Sequence, residues 1–194
     1  ELAKCLRDNG GEMTAMESTG SYWKPVYNVL ELLGLDIMVV NAQHMKNVPG
    51  RKTDMNDAQW IADLLQHGLL KGSYVPDKEQ RELREITRYR KCLIEERARE
   101  KNRLEKALES TNIKLSSIVT DLLGVSSRNL IQAAVSDTIS EESIDDLLYG
   151  DLRKKKAEIL QAMQGVISEV QKKLILAILD HIDDMTKRIK DMDD

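Results

Sequence analysis

From Asp77 to about Ser110 the chain contains neither Gly nor Pro, and charged residues of both signs dominate. Gly and Pro break helices, the first through backbone entropy and the second through its missing N–H and its ring. A stretch this long without either one reads as a single extended, solvated helix. It divides the chain at Pro76, where the pattern changes. The expected organisation is an α/β segment over 1–75 and a helical segment over 76–194.

Beyond the long helix, residues 111–150 are mixed and read as shorter helices broken at Gly124 and Gly150, with Ser140 and Ser143 as capping residues. From Asp151 to the end a second long helix is expected, interrupted only by Gly165. Its apolar positions are Leu160, Met163, Ile167, Val170, Leu174, Ile178, Ile182, Met185, Ile189 and Met192. Steps of three and four recur, which is a heptad seam with one four-residue insertion. Two long helices around a smaller helical insert predict an antiparallel hairpin, a coiled-coil dimer, or both.

Ahead of Pro76 the periodicity is different. Residues 1–9 read as a helix stopped by Gly10 and Gly11. "EMTAMES", residues 12–18, reads as a strand, and "STGSYW" supplies turn residues. "KPVYNVLELLG" reads as a helix with Pro25 in its first turn and Gly34 at its end. "DIMVVNA", residues 36–42, is a short apolar run rich in β-branched residues, hence a buried strand. A loop with Pro49 and Gly50 leads to the helix "DAQWIADLLQHG", with Trp60, Ile61, Leu64 and Leu65 as its apolar face. Strands alternating with helices predict an α/β layer with parallel pairing.

Composition agrees with a helix-rich chain. The 194 residues include no Phe and only 4% aromatics, so Leu, Ile, Val and Met must supply the core. The formal net charge of -4 does not announce a nucleic-acid binder. Its distribution says more. Counting Asp, Glu, Lys and Arg, residues 1–76 carry 7 positive and 9 negative charges, residues 77–106 carry 11 and 8, and residues 107–194 carry 11 and 16. The middle stretch alone is net basic, and clustered charge binds phosphate even in an acidic chain. Cys5 and Cys92 stand far apart with no metal-ligand spacing, so a reduced, cytoplasmic setting is the default. No apolar run approaches the roughly 18 residues of a membrane span, and no signal peptide is visible. The opening "ELAKCLRDNGG" reads as a helix tail without an initiator Met, so the chain is expected to be an internal piece of a longer protein.

Chemistry concentrates in "GRKTDMNDAQWIADLLQHG", where Asp54 and Asp57 lie one helical turn apart at the mouth of a helix. The commoner role for such a pair is capping, because Asp accepts orphan backbone N–H bonds and favours the positive helix end. The alternative is a metal site, which needs a third carboxylate. Glu17, at the end of the first expected strand, is the candidate. Sites in open α/β sheets gather at the carboxyl ends of strands. Hard cations such as Mg²⁺ take oxygen ligands, and a pair of them about 4 Å apart clamps the attacking and leaving oxygens of a phosphodiester.

The strings "AMESTGSYWKPVYNVLE" and "NAQHMKNVPGRKTDMNDAQWIADLLQHG" resemble the DEDD-type insertion-sequence transposases, the IS one-ten family. These are recombinases guided by a bridge RNA and are related to Piv-type invertases. The carrying features are the Glu of "ME-x-TG-x-Y" and the "G-x-KTD-x-x-DA" string. A weaker "LR…R…NRL…L" continues the likeness through the helical region, so that it covers essentially the whole chain. The resemblance implies a partial RNase H-like, RuvC-like domain, a coiled-coil arm, and divalent metal, Mg²⁺ or Mn²⁺, held by four acidic residues. Glu17 corresponds to the second of these, Asp54 to the third and Asp57 to the fourth. The first belongs to a strand expected upstream of Glu1, and a domain with a catalytic serine is expected beyond Asp194. On this reading the parent protein cuts and rejoins DNA during transposition, while this piece alone does not. DNA and a guide RNA are the implied partners, bacterial or archaeal cytoplasm the implied setting.

Other residues carry a bland reading beside a functional one. Arg51 and Lys52 are ordinary loop charges or phosphate contacts beside the metals. Tyr22 and Trp23 pack at the start of their helix or stack on bases. His44 is a lone loop histidine and is left out of the metal set. Ser18, Thr19 and Gly20 shape the turn after the strand. Arg81, Arg84, Arg88 and Lys91 fall at steps of 3, 4 and 3 on one helix face, with Arg97, Arg99, Lys101 and Arg103 extending the basic character. Such a face is solvated, with pairs such as Glu95 and Arg99, or is a track for nucleic-acid phosphates. The heptad seam is an intramolecular core or a homo-oligomer interface. Two rival functions stand beside the transposase reading: a stand-alone RuvC-like junction nuclease, and a non-catalytic coiled-coil oligomerisation module.

Overall fold

The computed structural model describes residues 1–41 and 54–193, with only the backbone of 54–56 included. They form two compact units, Glu1–Lys78 and Glu79–Asp194. The first is a small α/β layer and the second is helical throughout.

The first unit runs α1 (Leu2–Asp8), β1 (Met13–Glu17), α2 (Trp23–Leu32), β2 (Asp36–Val40) and α3 (Asp54–Gln66). β1 and β2 pair in parallel, in register from Met13 opposite Asp36 to Glu17 opposite Val40. A parallel pair needs a crossover, and α2 supplies it. α2 holds Trp23 and Tyr27 edge to face, 5.5 Å apart at 86°. It ends because Gly34 turns left-handed at φ +68, which lets the Leu35 N–H reach back to the Leu30 carbonyl at 3.2 Å. β2 is the buried strand: Val39 and Val40 are almost fully enclosed. Its outer side is bridged antiparallel at Val40 and Gly72, where the Ser73 N–H donates to the Val39 carbonyl. Every expected element of this segment is present, with ends shifted by at most three residues. Residue 42, the last expected in β2, lies outside the described residues.

The second unit begins in α4 (Lys78–Ser110), whose 33 residues rise about 50 Å. A 3₁₀ turn (Leu115–Ser117), α5 (Val125–Val135), α6 (Ile144–Leu147), a second 3₁₀ segment (Gly150–Lys155), α7 (Lys156–Ala162) and α8 (Glu169–Asp191) follow. α4 and α8 run antiparallel. Arg90 pairs with Asp193 at 2.6 Å while Arg97 donates to Thr186 Oγ1 at 3.3 Å, so numbers rise on one helix as they fall on the other. A single core gathers Leu104 and Leu108 from α4, Leu130 and Ile131 from α5, Ile159 from α7, and Ile175 and Ile182 from α8.

Three expectations are corrected by the helical unit. The second long helix, expected from Asp151 with an interruption at Gly165, opens instead as the 3₁₀ segment and turns α-helical only at Lys156, while the interruption falls where Gly165 was expected to place it. It breaks between Ala162 and Ser168 and restarts at Glu169, with Ser168 and Gln171 forming a reciprocal capping box. The seam shifts with it: Val170 is 77% and Leu174 52% exposed, whereas Ile175, Ile178, Leu179, Ile182, Met185 and Ile189 face the core. The expected and observed stripes part only at Val170 and Leu174: Met163 is buried, Leu160 and Ile167 pack against the core, and the two coincide again from Ile178 onward. The pairing on α4 also differs, since Glu95 meets Lys91 and Arg99 meets Glu96, each at 3.8 Å.

Candidate metal and nucleic-acid site

Glu17 is the last residue of β1, and its register partner Val40 is the last of β2. Both parallel strands therefore end at one sheet edge. The edge is tied down by the Ser18 N–H, which donates to the Val40 carbonyl at 2.9 Å. The Glu17 carboxylate is half-buried and accepts the Thr19 hydroxyl at 2.5 Å through Oε1. Thr19 thus orients the carboxylate as well as shaping the turn. The turn closes at Gly20, which sits at φ +54.

α3 brings the other two carboxylates. It starts at Asp54, so Asp54 and Asp57 occupy its first turn. The Asp54 side chain lies outside the described residues, as do Arg51, Lys52 and His44. The Asp57 side chain is half-buried. One turn further on, Trp60 and Ile61 pack against the small core of Val40 and Leu64, and α3 also contacts β1. The helix is thus anchored on Val40, the residue paired with Glu17. Among the described residues no three His, Cys, Asp or Glu side chains group closely enough to hold a metal ion. The Asp54 side chain is not among those residues.

On α4, Arg84, Arg88 and Lys91 are exposed and Arg81 is half-buried. Lys91 is drawn toward Glu95 at 3.8 Å. Among the described residues Arg84 and Arg88 pair with no carboxylate. Leu83 (61%) and Ile86 (47%) are exposed, ten and seven positions before Leu93, where the buried seam of this helix begins.

Sequence reasoning missed a second charged cluster. Arg97 and Lys101 of α4, Arg128 of α5, Asp183 and Thr186 of α8, and Asp121 line one cleft. Arg128 and its partner Asp183 lie 55 positions apart, a separation that no local pattern reveals. The Asp121 carboxyl is held below the usual carboxylate range, chiefly by the Lys101 hydrogen bond and then by the Leu123 N–H.

Among the described residues no helix is long and apolar enough to cross a membrane. No curated protein matches the chain. A family model described as transposase, of the DEDD type and the IS110 group, matches residues 1–113. That span takes in the whole α/β unit, both strings that hold the acidic residues, and all of α4. More than half of the chain is covered, and on that match it belongs to the IS110 group of DEDD transposases.

Proposed function

We propose that the chain is part of a recombinase that cuts and rejoins DNA during transposition of an insertion sequence, with Glu17, Asp54 and Asp57 as ligands of Mg²⁺ or Mn²⁺ in a RuvC-like domain. The observation that carries this reading is the sheet edge. Glu17 ends β1 opposite Val40, and the helix with both aspartates in its first turn is anchored on that same Val40. Capping alone does not require α3 to pack against the strand that ends in Glu17. The donor set fits a hard cation, since it consists of carboxylate oxygens. When bound, such ions stabilise charge on the attacking and leaving oxygens of a phosphodiester. The chain's own part is positional. Thr19 fixes the Glu17 carboxylate, and Trp60 and Ile61 fix the axis of α3.

Arg51, Lys52, Arg81, Arg84, Arg88 and Lys91 are proposed to hold nucleic-acid phosphates, of DNA and of a guide RNA. Arg84 and Arg88 are exposed and pair with no carboxylate among the described residues, which leaves their charge available. Homo-oligomerisation through the helical arm is supported by Leu83 and Ile86, apolar and exposed in phase with a buried seam.

Mn²⁺ titration of the purified chain tests the acidic site. Glu17→Ala and Asp57→Asn are each expected to weaken binding at least tenfold while the helical circular dichroism is retained. If Mn²⁺ binds equally well to wild type and to Glu17→Ala, Glu17 is no ligand, and the aspartates serve only their helix.

A further inference from the structure

The cleft of the second unit has a volume of about 620 Å³, within the few-hundred to thousand Å³ range of small-ligand sites. Its charge is arranged unevenly. Lys101 is bound to Asp121 at 2.7 Å, and Arg128 to Asp183 at 2.5 Å. Arg97 is half-buried and donates only to the Thr186 hydroxyl at 3.3 Å. Among the described residues it pairs with no carboxylate. A guanidinium has five donors in a planar fork, so most of its capacity faces the cleft unused. Withdrawing such a charge from water without a counter-ion is costly, and a bound anion offsets that cost. The lining has three cations against two carboxylates, an excess of one positive charge. The remaining wall is apolar: Ile94, Ala98 and Leu123.

We infer that this cleft holds one nucleotide of a single-stranded nucleic acid, with its phosphate on Arg97 and its base against Ile94, Ala98 and Leu123. The inference rests on the nucleic-acid reading above and adds a site that lies apart from the Arg84 and Arg88 face. Each feature suits a different part of the ligand. A guanidinium fork matches two phosphate oxygens at once. Asp121 and Asp183, paired with Lys101 and Arg128, repel a phosphate from their end of the cleft and direct it to Arg97. Their remaining lone pairs accept a base N–H, the ring N3–H of thymine or uracil or the exocyclic amine of the other bases. An apolar wall receives a base face from any sequence. A duplex has no unstacked base to offer, so the ligand is a single strand.

The test is fluorescence anisotropy with labelled oligothymidylate and oligouridylate at several salt concentrations. Arg97→Glu is expected to weaken binding at least tenfold and to make the salt slope shallower by about 0.7, the share of one phosphate on a single strand. Thr186→Val removes the hydrogen bond to Arg97 but keeps its charge, and is expected to stay within twofold of wild type. The oligomer that loses more on Arg97→Glu identifies the natural strand as DNA or RNA. Should Arg97→Glu fold poorly, the Arg97 Nε–H resonance of the wild-type chain is expected to shift when either oligomer is added, and no shift overturns the site. If the wild type binds, Arg84→Glu and Arg88→Glu weaken it, and Arg97→Glu does not, the cleft is wrong while the nucleic-acid reading stands. A wild type that binds neither oligomer overturns both.

Discussion

At the residue scale the tightest constraint in the helical unit is Gly165. The sequence shows it only as an interruption in an apolar repeat. In the structure it is the point where the connection between α7 and α8 crosses the chain that leaves α4. The Val166 N–H donates to the Thr111 carbonyl at 3.2 Å, and the Lys114 N–H donates to the Ala162 carbonyl at 2.8 Å. A Cβ at Gly165 would press into the Thr111 carbonyl and lie 2.6 Å from Ile113 Cγ1. Backbone cannot rotate away as a flexible side chain can, so one strand of the crossing has to move. Gly165→Ala is therefore expected to destabilise the helical unit by about 1–3 kcal/mol, the usual range for overpacking. Urea melts followed by circular dichroism at 222 nm measure it. Wild-type stability in the variant would mean that the two segments do not approach this closely. The role of Gly165 was illegible because it depends on residues some fifty positions away. The position of Glu17 was legible because it follows from a local pattern, the end of a strand before a turn.

At the element scale, α4 and α8 show what periodicity settles and what it leaves open. α4 follows from composition alone, because nothing in it breaks a helix. Its buried face does not follow so easily, since that face carries Glu100 and Arg97 among leucines. α8 presents two apolar stripes at spacings of three and four that merge at Ile178. Val170 and Leu174 extend one stripe, and Ile175 the other. The local signal that chooses between them is Ser168-x-x-Gln171, a capping box that starts a new helix there and frees it from the register of the residues before Gly165. The two stripes have different energetic consequences. Ile182 is fully buried, and Ile182→Ala is expected to cost about 2–5 kcal/mol through lost transfer energy and a cavity. Leu174→Ala, at a position half open to water, is expected to stay within about 0.5 kcal/mol. The same urea melts decide. A large loss at Leu174 would restore the longer heptad seam and place that residue in a contact between copies.

At the scale of the whole molecule the two units differ in how much they bury. Among the described residues of the first unit, Leu30, Val39, Val40 and Leu64 are the buried apolar side chains. The second unit holds all the others. Each fully buried large apolar side chain contributes about 1.5–3 kcal/mol, and a two-stranded sheet with so few of them is only marginally held together. Local stability is therefore expected to be low exactly where the acidic residues sit. Amides of β1, β2 and α3 are expected to exchange with deuterium at least a hundredfold faster than those of α5 and α8. A bound cation changes this selectively. A ligand that binds only the folded form stabilises it by about 2.7 kcal/mol at a hundred times its dissociation constant. Mn²⁺ at that level is expected to slow exchange in β1 and the first turns of α3 by up to about a hundredfold, and to leave α5 and α8 unchanged. The Glu17→Ala chain is expected to lose that slowing while keeping its slow α8. Exchange that is equally slow in both units without metal would contradict the thin-core argument. Metal-induced slowing spread evenly over both would contradict a site confined to the sheet edge. Slowing that survives Glu17→Ala would leave Asp54 and Asp57 as helix caps, with the transposase chemistry carried by other residues.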